Sequence, residues 1–281
     1  MRISRIRKIT IVIFFIQVTL FCNDFQDFNT RIMNSTCKIQ GENGNIGTAF
    51  FIGTPTSPNS DSIYFTLVTA KHVLDGLNGD NAIIYLRREK NGVIIKYPHE
   101  IKIRNNGKNN YVSHPTEDVS AINIPLSKKA YVDKINIAFL ANDSIMKSID
   151  IHPGDELYMF GYPLGYEANE AGYPILRSGK IASYPILPSS IYKTFLLDID
   201  VFKGNSGGPV VFYEKNRYIK DEMSNKYYNF IAGLVSQEGE HWQYTETLNE
   251  EKIIKTKLSI AIVVQAKYIL ETIQLLKSEN K

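Results

Sequence analysis

The stretch Lys203-Gly204-Asn205-Ser206-Gly207-Gly208-Pro209-Val210-Val211 sets one serine among three glycines and ends in a proline that stops any helix. Val210, Val211 and Phe212 follow it and read as the start of a strand. Ser206 therefore sits in a tight turn that leads into a strand. Such a turn is either a plain reversal of the chain or a rigid mount for a nucleophilic hydroxyl. The choice depends on whether the chain also holds a base and an acid to activate it.

Ser206 lies in a literal Gly-x-Ser-x-Gly, the pattern of the nucleophile elbow in α/β-hydrolases. That elbow needs a helix directly after the serine and an acid and a histidine later in the chain. Here a strand follows, and only His241 comes later. The partners must then be sought earlier, among His72, His99, His114 and His152. His72 stands at the end of the apolar run "FTLVTAKHVL", where a rigid strand can hold an imidazole in fixed orientation. A purely structural histidine also fits that place. Asp118 precedes the apolar "VSAINI", where a carboxylate is costly unless hydrogen-bonded, and an imidazole N–H would serve. A turn cap in "HPTEDV" is the simpler account of Asp118 alone. Together, His72, Asp118 and Ser206 stand in the order His, Asp, Ser, which is the order of the double-barrel proteases.

The strand pattern agrees with that order. Short runs rich in β-branched and aromatic residues occur at 47–53, 63–70, 82–88, 92–98, 101–104 and 119–126. After a polar connector, a second series follows at 156–163, 178–187, 194–202, 207–213 and 228–236. Many strands at short spacing predict antiparallel sandwiches or barrels, not a parallel sheet. From Val264 to Leu276, Ala266, Ile269, Leu270, Ile273 and Leu276 fall on one face of a helix.

The blocks "GTAFFI", "LVTAKHV", "HPTEDVSAI", "FGYPLG", "SGKIAS", "GNSGGPVV" and "IAGLVS" occur in the order found in trypsin-like, chymotrypsin-fold serine peptidases. The chain resembles in particular their bacterial branch, which includes HtrA-type proteases, over about residues 45–236. The resemblance implies an all-β fold of two antiparallel six-stranded barrels with a C-terminal helix. It implies a Ser206 nucleophile, a His72 base and acid, an Asp118 that orients His72, and an oxyanion hole from the amides of Gly204 and Ser206. Gly207 and Gly208 would leave the substrate room to approach. Animal digestive members carry an aspartate before the serine that pairs with a newly cut N-terminus. Asn205 is neutral, so no such activation is expected, and its side chain is expected to bond to the turn backbone. HtrA-type enzymes usually continue into a PDZ domain, whereas this sequence ends at Lys281.

Two residues bear on substrate choice. Asp200, six positions before Ser206, would floor the primary pocket in the trypsin register and favour Lys or Arg. In the HtrA-like register it simply shares a solvated strand face with Asp198. Ser236 resembles the position whose backbone pairs with the substrate.

Composition bounds the rest. The 281 residues are 43% hydrophobic and 22% charged, a globular balance with room for a sizeable core. Arg2, Arg5, Arg7 and Lys8 precede an apolar run from Ile9 to Cys22. That run is too short for a membrane span of about 20 residues and fits a signal-peptide core. Residues 1–22 are thus read as a leader, 23–140 as an N-terminal segment and first barrel with His72 and Asp118, and 141–281 as the second barrel with Ser206 and the helix. The expected location is periplasmic, secreted or cell-surface, with no membrane span in the mature form. Cys22 at the end of the run leaves a lipid anchor open.

Loss of the leader removes four of the 32 basic residues and no acid, leaving 28 against 29 and a net charge near −1. Nothing then suggests a nucleic-acid surface. Cys37 would be the only thiol left, which excludes a disulfide framework. No His-Glu-x-x-His or similar cluster occurs, so neither a metal nor a cofactor is expected. The expected partners are protein or peptide substrates. The competing reading is a catalytically silent binding or adhesion protein on the same scaffold.

Overall fold

The computed structural model describes residues 27–55, 63–127, 130–133, 135–219, 222–247 and 250–279. Residues 1–22, the expected leader with Cys22, lie outside the described residues. In chain order the elements are α1 (Phe28–Ser35), β1 (Thr36–Gly41), β2 (Ile46–Pro55), β3 (Ile63–Thr69), α2 (Lys71–Asp75), β4 (Asn81–Lys90), β5 (Val93–Lys102), β6 (Arg104–Asn105), β7 (Lys108–Asn109), β8 (Val112–Ser113) and β9 (Ser120–Ile124). There follow β10 (Ile135–Asn136), α3 (Asp143–Ser148), β11 (Glu156–Gly161), β12 (Ile175–Ile181), β13 (Thr194–Asp198), β14 (Pro209–Ile219), β15 (Glu222–Thr247), β16 (Glu250–Gln265) and α4 (Ala266–Glu279).

The described residues are mainly β, in two main sheets. The second sheet runs β11-β12-β13-β16-β15-β14 and closes through the β11–β14 pairing into a barrel of six. The first sheet has eight strands, in the order β5-β4-β1-β2-β3-β9-β8 with β10 beside β2, and its ends do not pair. It therefore differs from the six-stranded barrel expected. Pro98 gives a physical reason: it sits inside β5 opposite Tyr85, lacks an N–H, and suits an edge. The same strand runs unbroken through the gap that separated the expected runs at 92–98 and 101–104.

Apolar alternation explains which strands lie deepest. Ala49, Phe50, Phe51 and Ile52 of β2 are all buried, because β2 is covered on both faces. β4 alternates, with Ala82, Ile84 and Leu86 inward. One contiguous core joins the two sheets, from Phe28 to Leu276. α4 buries Ile269, Ile273 and Leu276 and packs over β8, β9 and β15, bridging the sheets. Cys37 is free and buried, and burial pushes its thiol up to about 12 against the opposing charge of Arg87. Among the described residues no helix is long and apolar enough to cross a membrane.

Candidate active site

His72 is presented by a change of structure rather than by a strand end. β3 stops at Thr69, whose hydroxyl donates to the Thr48 carbonyl at 2.7 Å. Ala70 then caps the one-turn helix α2, where Val73 and Leu74 turn inward and His72 outward. The apolar run predicts a strand up to His72; burial of Val73 and Leu74 side by side favours the helical turn instead.

Asp118 is the next-to-last residue of the six-residue loop between β8 and β9. Both of its oxygens engage His72: Oδ2 lies 2.8 Å from Nδ1, and Oδ1 accepts the His72 amide at 2.9 Å. A carboxylate only accepts, so Nδ1 carries the proton and Nε2 of the neutral ring is left with its lone pair free. Oδ2 also accepts the Ser236 hydroxyl at 2.5 Å. Burial pushes the Asp118 carboxyl up, but the His72 hydrogen bonds and charge and the Ser236 hydroxyl outweigh it, holding the group below the ordinary carboxylate value.

Ser206 is held by backbone alone. Its carbonyl accepts from Thr48 N at 2.9 Å, while Gly207 N donates to Val235 O at 2.7 Å and Val235 N to Gly208 O at 2.9 Å. These bonds fasten the turn between β2 and β15. A Cβ added at Gly207 would come within 3.0 Å of the Ala70 amide nitrogen, two residues before His72, so the serine turn lies beside the histidine helix. Among the described residues no hydrogen bond joins His72 Nε2 to Ser206 Oγ; in free enzymes such contacts are often long and tighten with substrate.

The turn also aims two amides. A trans peptide plane points its N–H opposite to its C=O. Leu164 N donates to Lys203 O at 2.6 Å and so pins the plane that carries Gly204 N–H. Gly208 N donates to Asn205 O at 3.0 Å and pins the plane that carries Ser206 N–H. Among the described residues neither Gly204 N–H nor Ser206 N–H has an acceptor. Gly204 adopts φ 99° and Gly207 φ 84°, a region that favours glycine.

Packing explains two of the turn glycines, and one expectation, that for Asn205, needs correction. A side chain at Gly207 would meet Thr48 O and Thr69 Oγ1, and one at Gly208 would meet Phe160 O. These glycines are required by the protein's own packing. Asn205 does not bond to the turn backbone: it is 1% exposed, and its Oδ1 and Nδ2 have no hydrogen-bond partner. It fills the space against Gly161.

The specificity candidates fall in different places. Ser236 lies at a register shift between β15 and β16, which leaves its backbone outside the regular ladder. Its hydroxyl bond to Asp118 spans 118 residues of sequence, and no local pattern signals it. Asp198 and Asp200 share an exposed face, as alternation predicts. The Asp200 side chain is 52% exposed, with the Arg177 guanidinium 3.9 Å away.

Residues 47–219, more than half of the chain, match the family model described as the trypsin-like peptidase domain. The chain therefore belongs to the trypsin-like serine peptidase family. No curated protein gave a significant match.

Proposed function

We propose that the protein is an exported serine endopeptidase that acts through His72, Asp118 and Ser206. The observation that carries this reading is the double engagement of Asp118 with His72, beside a serine turn whose Gly204 and Ser206 amides have no acceptor among the described residues. Two lobes, 23–140 and 141–281, would then meet at the site, in the manner of the double-barrel peptidases of the bacterial branch.

In this reading Ser206 Oγ attacks the scissile carbonyl carbon as His72 Nε2 takes its proton. The carbonyl oxygen becomes an oxyanion held by Gly204 N–H and Ser206 N–H. Collapse breaks the C–N bond, and His72 gives the proton to the departing amine, leaving an acyl-enzyme on Ser206. Water, deprotonated by His72, releases the acid product by the reverse sequence. Asp118 stays ionised throughout and stabilises the imidazolium.

The reading is tested by cleavage of an unstructured protein such as casein by the folded protein and its Ser206→Ala variant. Cleavage by the first and not the second supports it. Equal activity of the two would assign any cleavage to another source. Inactivity of both would favour the silent binding scaffold.

A further inference from the structure

We propose that His114 is a positioning residue for Asp118, acting as a hydrogen-bond acceptor inside the loop that presents the carboxylate. The proposal rests on the assignment of Asp118 to the site described above.

The loop 114–119 reverses the chain between Ser113 and Ser120, which pair across β8 and β9. Its ends are closed by His114 N donating to Val119 O at 2.8 Å. Within it, His114 Nδ1 accepts two backbone amides, from Thr116 at 3.3 Å and from Glu117 at 3.0 Å. The carboxylate that holds His72 belongs to the very next residue. Four of the six loop residues, His114, Thr116, Glu117 and Val119, are therefore tied to one another, and the Asp118 side chain reaches His72 on α2.

The imidazole is fixed from its other side as well. Nε2 lies 3.1 Å from Glu271 Oε2 on α4, and the ring meets Tyr268 edge to face at 5.2 Å between centroids. His114 is only 7% exposed. Because Nδ1 accepts two N–H groups, the proton of the neutral ring sits on Nε2, where Glu271 accepts it. The side chain that shapes the loop is thus locked in tautomer and orientation by a helix that also spans the two sheets. The charged groups around it are Glu117 and Lys193, paired at 2.6 Å, and Glu271 with Lys267 on α4.

Chemistry separates this role from simple packing. Asn at 114 would put Oδ1 where Nδ1 stands and keep the acceptor for the Thr116 and Glu117 amides, while losing Glu271. Gln would move its oxygen one bond farther out and lose the loop acceptor. Leu would remove both.

The test compares His114→Asn, His114→Gln and His114→Leu by steady-state kinetics and by the downfield proton resonance of the His72 Nδ1–H to Asp118 bond. The resonance reads the position of Asp118 whether or not the protein cleaves peptides, so a failure of the peptidase reading would not be confused with a failure of this one. The expected result is that Asn keeps the resonance and a kcat within about threefold of wild type, while Gln loses at least about tenfold in kcat with KM little changed and a weakened resonance. The Asn and Gln pair decides the matter even if the Leu variant does not fold. Equal loss in Asn and Gln, or wild-type resonance and kcat in Gln, would overturn the proposal.

Discussion

Leu164 N–H donates to the Lys203 carbonyl at 2.6 Å, from a backbone held at φ 52°. A leucine in that left-handed region costs roughly 1 kcal/mol, so the contact is maintained against local strain. Its effect is felt one peptide further on, where the Gly204 N–H is aimed away from Leu164 and left without an acceptor. Gly204 O is held in turn by the Thr48 hydroxyl at 2.7 Å, and the same oxygen of Thr48 accepts Tyr162 N at 3.2 Å. The 162–165 segment and β2 thereby fix the turn that carries Ser206.

Gly204→Ala should disable the turn. The added carbon would meet Tyr162 O and, at 3.4 Å, Gly165 N, and alanine is strained at φ 99°. The peptide plane must then rotate, and kcat should fall by at least about 100-fold, the scale of one lost oxyanion donor. Steady-state kinetics with a peptide ester check this, with circular dichroism confirming the fold.

Ser236→Ala should weaken the hold on Asp118 and raise its carboxyl pKa. A carboxyl lowered in the folded state adds stability above its ordinary value near 3.8 and loses it as pH falls through the lowered folded value. With one lowering partner gone, less of that stability is present, and the acid-unfolding midpoint should shift to higher pH. An acid titration followed by tryptophan fluorescence checks the direction. In the same variant kcat should fall about tenfold, the effect of one weakened bond to an orienting carboxylate.

Glu167 joins the 162–173 loop to the first sheet, between Lys38 and Lys96, each at 2.5 Å. Burial pushes its carboxyl up, but the two lysines outweigh that and hold it below the ordinary value. Glu167→Gln leaves two ammonium groups facing each other across a neutral amide and should loosen the loop that carries Leu164. A kcat reduced about fivefold with KM nearly unchanged is expected, since the loss lies in the transition state. A raised KM at unchanged kcat would place the loop in substrate binding instead.

Asp200 shares its charge with Arg177, and half of its side chain faces water. Screening at such a site leaves an exposed ion pair worth about 1 kcal/mol or less. Asp200→Asn should therefore change the ratio of cleavage after Lys or Arg to cleavage after Leu by less than about tenfold. A peptide-library digest checks this, and a larger change would make Asp200 the floor of the primary pocket.

The site was more legible than the sheets that carry it. His72, Asp118 and Ser206 stand out because each sits beside an apolar run and carries a group that needs a partner. β2, β3, β9 and β11 were legible for the same reason: their burial leaves dense apolar stretches. β1 was not, because the alternation of Cys37 and Ile39 with Lys38 and Gln40 suits a strand but covers only four residues and does not stand out. β16 is hidden in the sequence because Val263, Val264 and Gln265 run straight into α4. Gln265 ends it by donating to Ile186 O at 2.7 Å, a contact made 79 residues away. Contacts of that span, like Ser236 to Asp118, leave no local pattern. The unpartnered amide of Asn205 was missed from the opposite direction, since a polar residue in a glycine turn suggests a bond that packing denies it.

The central claim is that Ser206 is a nucleophile activated by His72. Labelling by a fluorophosphonate, with the modified residue located by mass spectrometry, tests it most directly. The account predicts one label on Ser206, none there in Ser206→Ala, and labelling slowed by at least about 100-fold in His72→Ala. Absence of label in the folded wild-type protein, or equally fast labelling in His72→Ala, would contradict it.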